Sequence, residues 1–176
     1  MERALLVAAV CTALSATVVR GQEPRNAWLA VLLERDATSW TPAVARKRFA
    51  KLVALETARP TPQLLILAGG DLRQRVELAC APSSDDAHAE RSFRCSRIAL
   101  RVVAETNAEA GAVHRSLERQ LRAKLGEPRY VRRDDGPLPN IGWQRARVEV
   151  SLSEQSQTVG ELVRYFVEVS IRRFDA

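Results

Sequence analysis

Apolar residues spaced three and four positions apart predict an amphipathic helix that begins at Thr41 and Pro42. Threonine can cap a helix, and proline fits the first turn, where its missing N–H is harmless. Pro60 is expected to end this helix, and an apolar stretch at residues 26–34 predicts a shorter helix before it. The apolar stripe of the longer helix consists of Val44, Ala45, Phe49, Leu52, Val53 and Leu55.

A second clear helix is predicted from Thr106 onward. Thr106 and Glu109 have the spacing of a capping box, in which each residue satisfies a backbone N–H of the first turn. Gly126 and Pro128 are expected to end the helix, because they are typical of helix C-termini. Its apolar stripe consists of Ala110, Val113, Leu117, Leu121 and Leu125.

Apolar residues at every second position predict four strands, arranged as two antiparallel hairpins. The first hairpin joins residues 72–80 to residues 97–102 through a polar loop. The second joins residues 146–152 to residues 165–171, with residues 153–159 as its turn. Residues 64–68 leave two interpretations open, a buried strand or a short helix, because consecutive apolar residues carry no periodicity.

The predicted order is therefore helix, strand, strand, helix, strand, strand. This order favours an α+β fold of two helix–strand–strand units in tandem. The amphipathic helices would pack on one face of an antiparallel sheet, with a short N-terminal helix added. We expect residues 22–176 to form this single domain.

The N-terminal residues have the pattern of a secretory signal peptide. Arg3 precedes an uncharged run from Ala4 to Val19, and cleavage is expected after Gly21, with Ala16 as an alternative site. An uncleaved membrane anchor is the other interpretation, although the run is shorter than the roughly 20 residues that a spanning helix needs. We expect an exported protein, periplasmic or extracellular, with no transmembrane span in the mature chain.

Removal of the signal would leave two cysteines, Cys80 and Cys95, since Cys11 lies in the signal. An even number of cysteines in an exported chain predicts a disulfide. The alternative is a pair of buried free thiols. Strict alternation places Cys80 and Cys95 on opposite faces of their strands, so a β-bulge or a loosened strand end is needed to join them.

Composition adds little chemistry to this picture. The 176 residues are 46% hydrophobic and carry a formal charge of +6, as expected for a globular basic protein. No Gly-x-Ser-x-Gly, His-Glu-x-x-His or Cys-x-x-Cys pattern occurs, so no metal, cofactor or catalytic residue is predicted. The alternative to a non-catalytic protein is a small exported hydrolase that uses the loop of Asp85, Asp86 and His88. A pocket that gathers this loop with Asp134 and Asp135 would favour that alternative.

Arginines on the strands are the remaining candidates for function. If the strands alternate as predicted, eight arginines point away from the helices and form a docking surface for an envelope protein or an anionic polymer or lipid surface. The alternative is a solvated face with Arg–Glu pairs of little energetic weight. The eight are Arg73, Arg75, Arg97, Arg101, Arg145, Arg147, Arg164 and Arg172.

Nucleic acid is not an expected partner, because Phe166 is the one outward aromatic residue on these strands and the chain is predicted to be exported. Trp28, Trp40 and Trp143 are further contact candidates if they prove exposed. The sequence thus predicts an exported, non-catalytic binding domain, without identifying its ligand or oligomeric state.

Overall fold

The structure is a computed structural model that describes residues 23–34, 36–60, 64–82, 93–133 and 138–173. Its helices are α1 at Glu23–Leu32, α2 at Pro42–Phe49 and α3 at Asn107–Leu125, with a 3-10 turn at Ala37–Ser39 between α1 and α2. None of the helices in these ranges is long and apolar enough to cross a membrane.

The predicted helix starts are confirmed by their capping contacts. The Thr41 hydroxyl accepts a hydrogen bond from the Val44 N–H at 3.3 Å, and the Thr106 hydroxyl accepts one from the Glu109 N–H at 3.1 Å. The predicted end of α2 is wrong, because the helix stops at Phe49 and the chain becomes a strand before Pro60. Leu55, in the connection between α2 and β1, is still buried in the core. The apolar spacing therefore identified a core residue that lies beyond the end of the helix.

Eight strands form one antiparallel sheet in the described part of the chain, in the spatial order β1-β2-β3-β4-β8-β7-β6-β5. The first four strands run in chain order from one edge of the sheet to its middle, and the last four run from the opposite edge back to the middle, where β8 pairs with β4. The strands are β1 Glu56–Pro60, β2 Leu65–Gly70, β3 Gln74–Pro82, β4 Phe93–Ala104, β5 Tyr130–Arg132, β6 Asn140–Arg145, β7 Val148–Val159 and β8 Leu162–Arg173.

This sheet overturns the predicted fold of two helix–strand–strand units in tandem. The protein is mostly an eight-stranded antiparallel sheet with few helices, and four strands rather than two lie on either side of α3. The strands that the pattern missed are β1, β5 and β6, which have five, three and six residues. β1 has the sequence ETARP and β5 has only three residues, so neither offers alternation for a pattern to detect.

Two further local expectations are settled by the strand register. Residues 64–68, left as strand or helix, fall almost wholly within β2. Residues 153–159 are not a turn, because β7 continues to Val159, which pairs with Leu162. The turn is the two residues Gly160 and Glu161, and the polar sequence before it is held in the sheet by β8.

The core lies on one face of the sheet. Leu78, Leu100 and Val169 from the strands are fully buried in one cluster with Leu117 and Leu121 from α3. Trp28, Trp40 and Trp143 belong to the same cluster, so these tryptophans are core residues and not contact residues. Because side chains alternate along a strand, the residues between these core positions point to the opposite face.

Cys80 and Cys95 form the predicted disulfide between β3 and β4. Ala79 lies opposite Arg97, whereas Cys80 lies opposite Cys95, so Ser96 is an extra residue in β4. This β-bulge places Cys95 on the same face as Cys80, as the sequence required. Both cysteines are fully buried.

Candidate functional site: the open face of the sheet

The face of the sheet that points away from the core, here called the open face, carries five of the eight predicted arginines. On the central strands these arginines alternate with core residues such as Ile98, Leu100 and Val169. They come from three different strands, so the face draws together residues that are distant in sequence. The five arginines are Arg75, Arg97, Arg101, Arg164 and Arg172.

The other three predicted arginines lie elsewhere. Arg73 is in the turn between β2 and β3 and forms an ion pair with Glu105 at 3.0 Å. Arg145 is the last residue of β6, and its side chain reaches the end of α3, where it donates a hydrogen bond to the Lys124 carbonyl at 3.1 Å. Arg147 is exposed in the two-residue turn between β6 and β7. The prediction that all eight point away from the helices is therefore wrong for Arg145, because β6 turns that side chain toward α3.

Glu168 is the centre of the open face. Its side chain is only 5% exposed, and both carboxylate oxygens bind arginines of β4. Arg97 donates from Nη2 to Oε1 at 3.0 Å. Arg101, which lies directly opposite Glu168, donates from Nη2 and Nε to Oε2 at 2.8 and 3.2 Å. Two cations thus compensate a buried carboxylate that would be costly to desolvate alone.

The two arginines of this cluster remain available for a further ligand. The Arg97 side chain is 54% exposed and the Arg101 side chain 40% exposed. A guanidinium has five N–H donors, and among the described residues Glu168 takes one from Arg97 and two from Arg101. Phe166 supports Arg101 from the same strand as Glu168, with its ring centre 5.7 Å from the guanidinium carbon. The remaining donors are therefore held in place on an exposed surface.

A small recess lies beside the two guanidinium groups. Its volume is about 110 Å³, which suits a small oxyanion group such as a carboxylate, a sulfate or a phosphate. Small side chains from β3 and β4 leave this space open, and Arg97 and Arg101 line it together with Glu168. The full lining is Ile66, Glu77, Ala79, Arg97, Ala99, Arg101 and Glu168.

A second polar cluster lies farther along the same face. Glu149 accepts hydrogen bonds from the Tyr130 hydroxyl and from Arg172 Nη2, both at 3.0 Å. The Tyr130 ring covers Gly142, where a Cβ atom would come within 2.2 Å of the ring. Burial, followed by the hydrogen bond to Glu149, raises the pKa of Tyr130, so its hydroxyl stays protonated as a donor. The Arg132 guanidinium carbon lies over this ring, 4.7 Å from its centre.

Charge on the open face is only partly compensated. Arg97 and Arg172 lie directly opposite each other on β4 and β8, and each binds a different glutamate, so their repulsion is offset. Arg75 is paired with Glu77 on its own strand at 3.0 Å. Four of the five arginines therefore pair with three glutamates, Glu77, Glu149 and Glu168, and these residues leave the face with an excess of positive charge.

The described residues provide no structural support for the hydrolase alternative. Asp85, Asp86, His88, Asp134 and Asp135 all lie outside them. Within the described ranges no group of three or more His, Cys, Asp or Glu side chains could hold a metal ion.

His114 of α3 is buried. Its Nε2 lies 2.9 Å from the Pro139 carbonyl, and burial lowers its pKa, so the imidazole is neutral and held in the core.

Sequence reasoning missed the roles of Glu168, Glu149 and Tyr130. Glu168 and Glu149 stand out in the sequence only as interruptions of an arginine-rich pattern, and their partners depend on strand register. Comparison with protein-family models, with curated proteins and with solved structures finds no match to this chain.

Proposed function

We propose that the protein is an exported, non-catalytic domain that binds a partner rich in carboxylate, sulfate or phosphate groups through the open face of its sheet. The partner would be an acidic protein or an anionic polymer or lipid surface of the cell envelope. The observation that carries the proposal is the cluster of Arg97, Arg101 and Glu168. A buried carboxylate there fixes two half-exposed guanidinium groups beside a recess the size of an oxyanion.

Fixed guanidinium groups favour binding for two reasons. The side chains lose little additional conformational freedom when a ligand arrives, because Glu168 already orders them. Charge-assisted hydrogen bonds from guanidinium groups to oxyanions are stronger than neutral ones and have defined directions. The excess of arginines over glutamates on the face adds long-range attraction, which salt would weaken.

A charge reversal on the open face tests this function. Arg164 lies on the same face of β8 as Phe166 and Glu168, is exposed and has no ion pair within the described residues. We expect Arg164→Glu to weaken binding to polyglutamate, to a sulfated polysaccharide or to anionic lipid vesicles by about five- to tenfold at low salt. Isothermal titration calorimetry or vesicle sedimentation measures this loss, and the three probes distinguish the kinds of partner.

Arg147→Glu is the matched control, since Arg147 is equally an exposed arginine but lies in the turn between β6 and β7. Arg147→Glu should leave the affinity within about twofold of that of the unmodified protein, because Arg147 lies outside the open face and salt screens its charge from a ligand bound there. Equal losses in the two variants, or binding that does not respond to added salt, would contradict the proposed surface.

Export is supported by the uncharged run from Ala4 to Val19 and by the disulfide between Cys80 and Cys95, a bond typical of oxidising compartments. We expect the full chain, expressed in a bacterial host, to be recovered outside the cytoplasm with Gln22 as its first residue. Intact-mass analysis of the fractions measures this directly. Recovery of the uncleaved chain in the cytoplasm would overturn the proposal of export while leaving the binding surface to its own test.

A further inference from the structure

β7 and β8 extend beyond their neighbours as a two-stranded arm. β6 pairs with β7 only as far as Leu152, and β4 pairs with β8 only as far as Tyr165. From there to the turn at Gly160, the two strands pair only with each other among the described residues. One edge of β7, residues 153–159, is therefore without a neighbouring strand in this part of the chain, and we call it the free edge.

The free edge has few of the features that usually prevent an exposed strand from pairing, and Glu154 is its one charged residue. Proteins commonly protect such edges with lysine, proline or a β-bulge. Residues 153–159 read SEQSQTV and contain no lysine or proline, and their register with β8 is uninterrupted. Residues 155–158 are all exposed. The backbone N–H and C=O groups along this edge are thus accessible to another strand.

We propose that the free edge pairs in antiparallel orientation with the free edge of a second copy of this chain. An edge that pairs antiparallel with itself is related to its partner by a two-fold axis, so the association closes as a dimer and does not continue as a fibre. The register that pairs the whole free edge places Ser156 on the axis. The two arms would then form a continuous four-stranded sheet.

This register is compatible with the charges and side chains along the edge. Ser156 would face its counterpart, Gln155 would face Gln157, and Glu154 would face Thr158. No two like charges are opposite each other, which antiparallel pairs disfavour. The amide and hydroxyl side chains can also exchange hydrogen bonds across the pair.

Glu154 provides an independent indication that the arm is incomplete in a single copy. One of its carboxylate oxygens, Oε1, is buried and accepts no hydrogen bond within the described part of the chain. Unsatisfied buried oxygens are uncommon because each costs desolvation energy. Thr158 of the second copy would lie opposite Glu154 on the same face of the paired arms, and a rotation that brings the Glu154 carboxylate out to the pair would let the Thr158 hydroxyl donate a hydrogen bond to it.

The dimer should be weak and reversible. Seven paired residues bury much less surface than the roughly 1,600 Å² of a standard stable interface. We therefore expect a monomer at low concentration and a growing dimer fraction at high concentration, measured by sedimentation equilibrium on the disulfide-bonded protein.

Charge substitutions at the axis test the pairing. Ser156→Lys and Ser156→Glu would each place like charges about 5 Å apart, and each variant alone should be monomeric. An equimolar mixture should regain association, because the opposite charges then meet. Leu162→Lys is the control, since Leu162 is 65% exposed on β8, away from the free edge, and this variant should associate like the unmodified protein.

Three results would overturn the proposal: an unmodified protein that stays monomeric at millimolar concentration, a mixture of the Ser156 variants that does not associate, or a Leu162→Lys variant that loses association as fully as Ser156→Lys. Thermal melts of each variant show whether the fold is retained. Anion binding is measured by titration and association by sedimentation, and Arg164 is on β8 and not on the free edge, so the two proposals can fail separately.

Discussion

Two hairpin turns in this protein use the same kind of backbone conformation with different residues. The turn between β7 and β8 begins at Gly160, whose φ is 62°, and the turn between β6 and β7 begins at Ala146, whose φ is 49°. Positive φ is easy for glycine but costs roughly 1 kcal/mol or more for a residue with a Cβ atom. Ala146 is exposed, so packing of its methyl group offsets little of this conformational free energy.

We therefore expect Ala146→Gly to increase the free energy of unfolding by about 1 kcal/mol. Gly160→Ala is the reverse experiment, and a Cβ atom there would meet nothing within 4 Å, so its effect should come from the backbone alone. It should lower the free energy of unfolding by a similar amount. Urea unfolding measures both changes. A loss of stability in Ala146→Gly would show that the methyl group matters more than the backbone conformation.

Individual residues of the candidate site were predictable only in part. Arg75, Arg97, Arg101, Arg164 and Arg172 were expected to point away from the core, and alternation along β3, β4 and β8 places them there. Alternation could not identify the partner of each arginine, because it does not give the register between strands. Arg145 was assigned to the wrong face because its strand was predicted from Ala146 onward, whereas β6 ends at Arg145 itself.

Elements with strong local signals were predicted well. α3 follows its capping box and ends before Gly126, and β3 and β4 follow the alternation of their apolar residues. Elements that depend on pairing with neighbouring strands were not predicted well. β1, β5 and the polar half of β7 are strands because adjacent strands supply hydrogen-bond partners, and their own side chains give little indication of it.

The helix α2 was predicted to extend to Pro60 but ends at Phe49, and the difference between local pattern and tertiary contacts explains why. The apolar spacing continued through Leu52 and Leu55, and a helix was the simplest interpretation. In the structure the chain leaves the helix after Phe49 and still buries Leu55, because a connection can also direct an apolar side chain into the core. Periodicity reports which residues are buried more reliably than it reports where an element ends.

At the scale of the whole molecule, the decisive contact is the pairing of β4 with β8. It joins the first four strands to the last four and brings Glu168 next to Arg97 and Arg101, which are 71 and 67 residues away in sequence. No local pattern specifies that pairing. Without it the arginines of β4 would lack their carboxylate, and the open face would have no fixed cation pair.

The most direct test of anion binding by the open face replaces Arg97, Arg101 and Glu168 together. A variant with Arg97→Gln, Arg101→Gln and Glu168→Gln removes both cations without leaving a buried carboxylate unpaired, and it lowers the net charge by one. Arg147→Gln lowers the net charge equally but leaves the open face intact. Calorimetric titration with polyglutamate at low salt should show about a tenfold loss of affinity, or ~1.4 kcal/mol, for the triple variant and less than about twofold for Arg147→Gln. Equal affinities of the two folded variants would contradict the assignment of anion binding to this cluster.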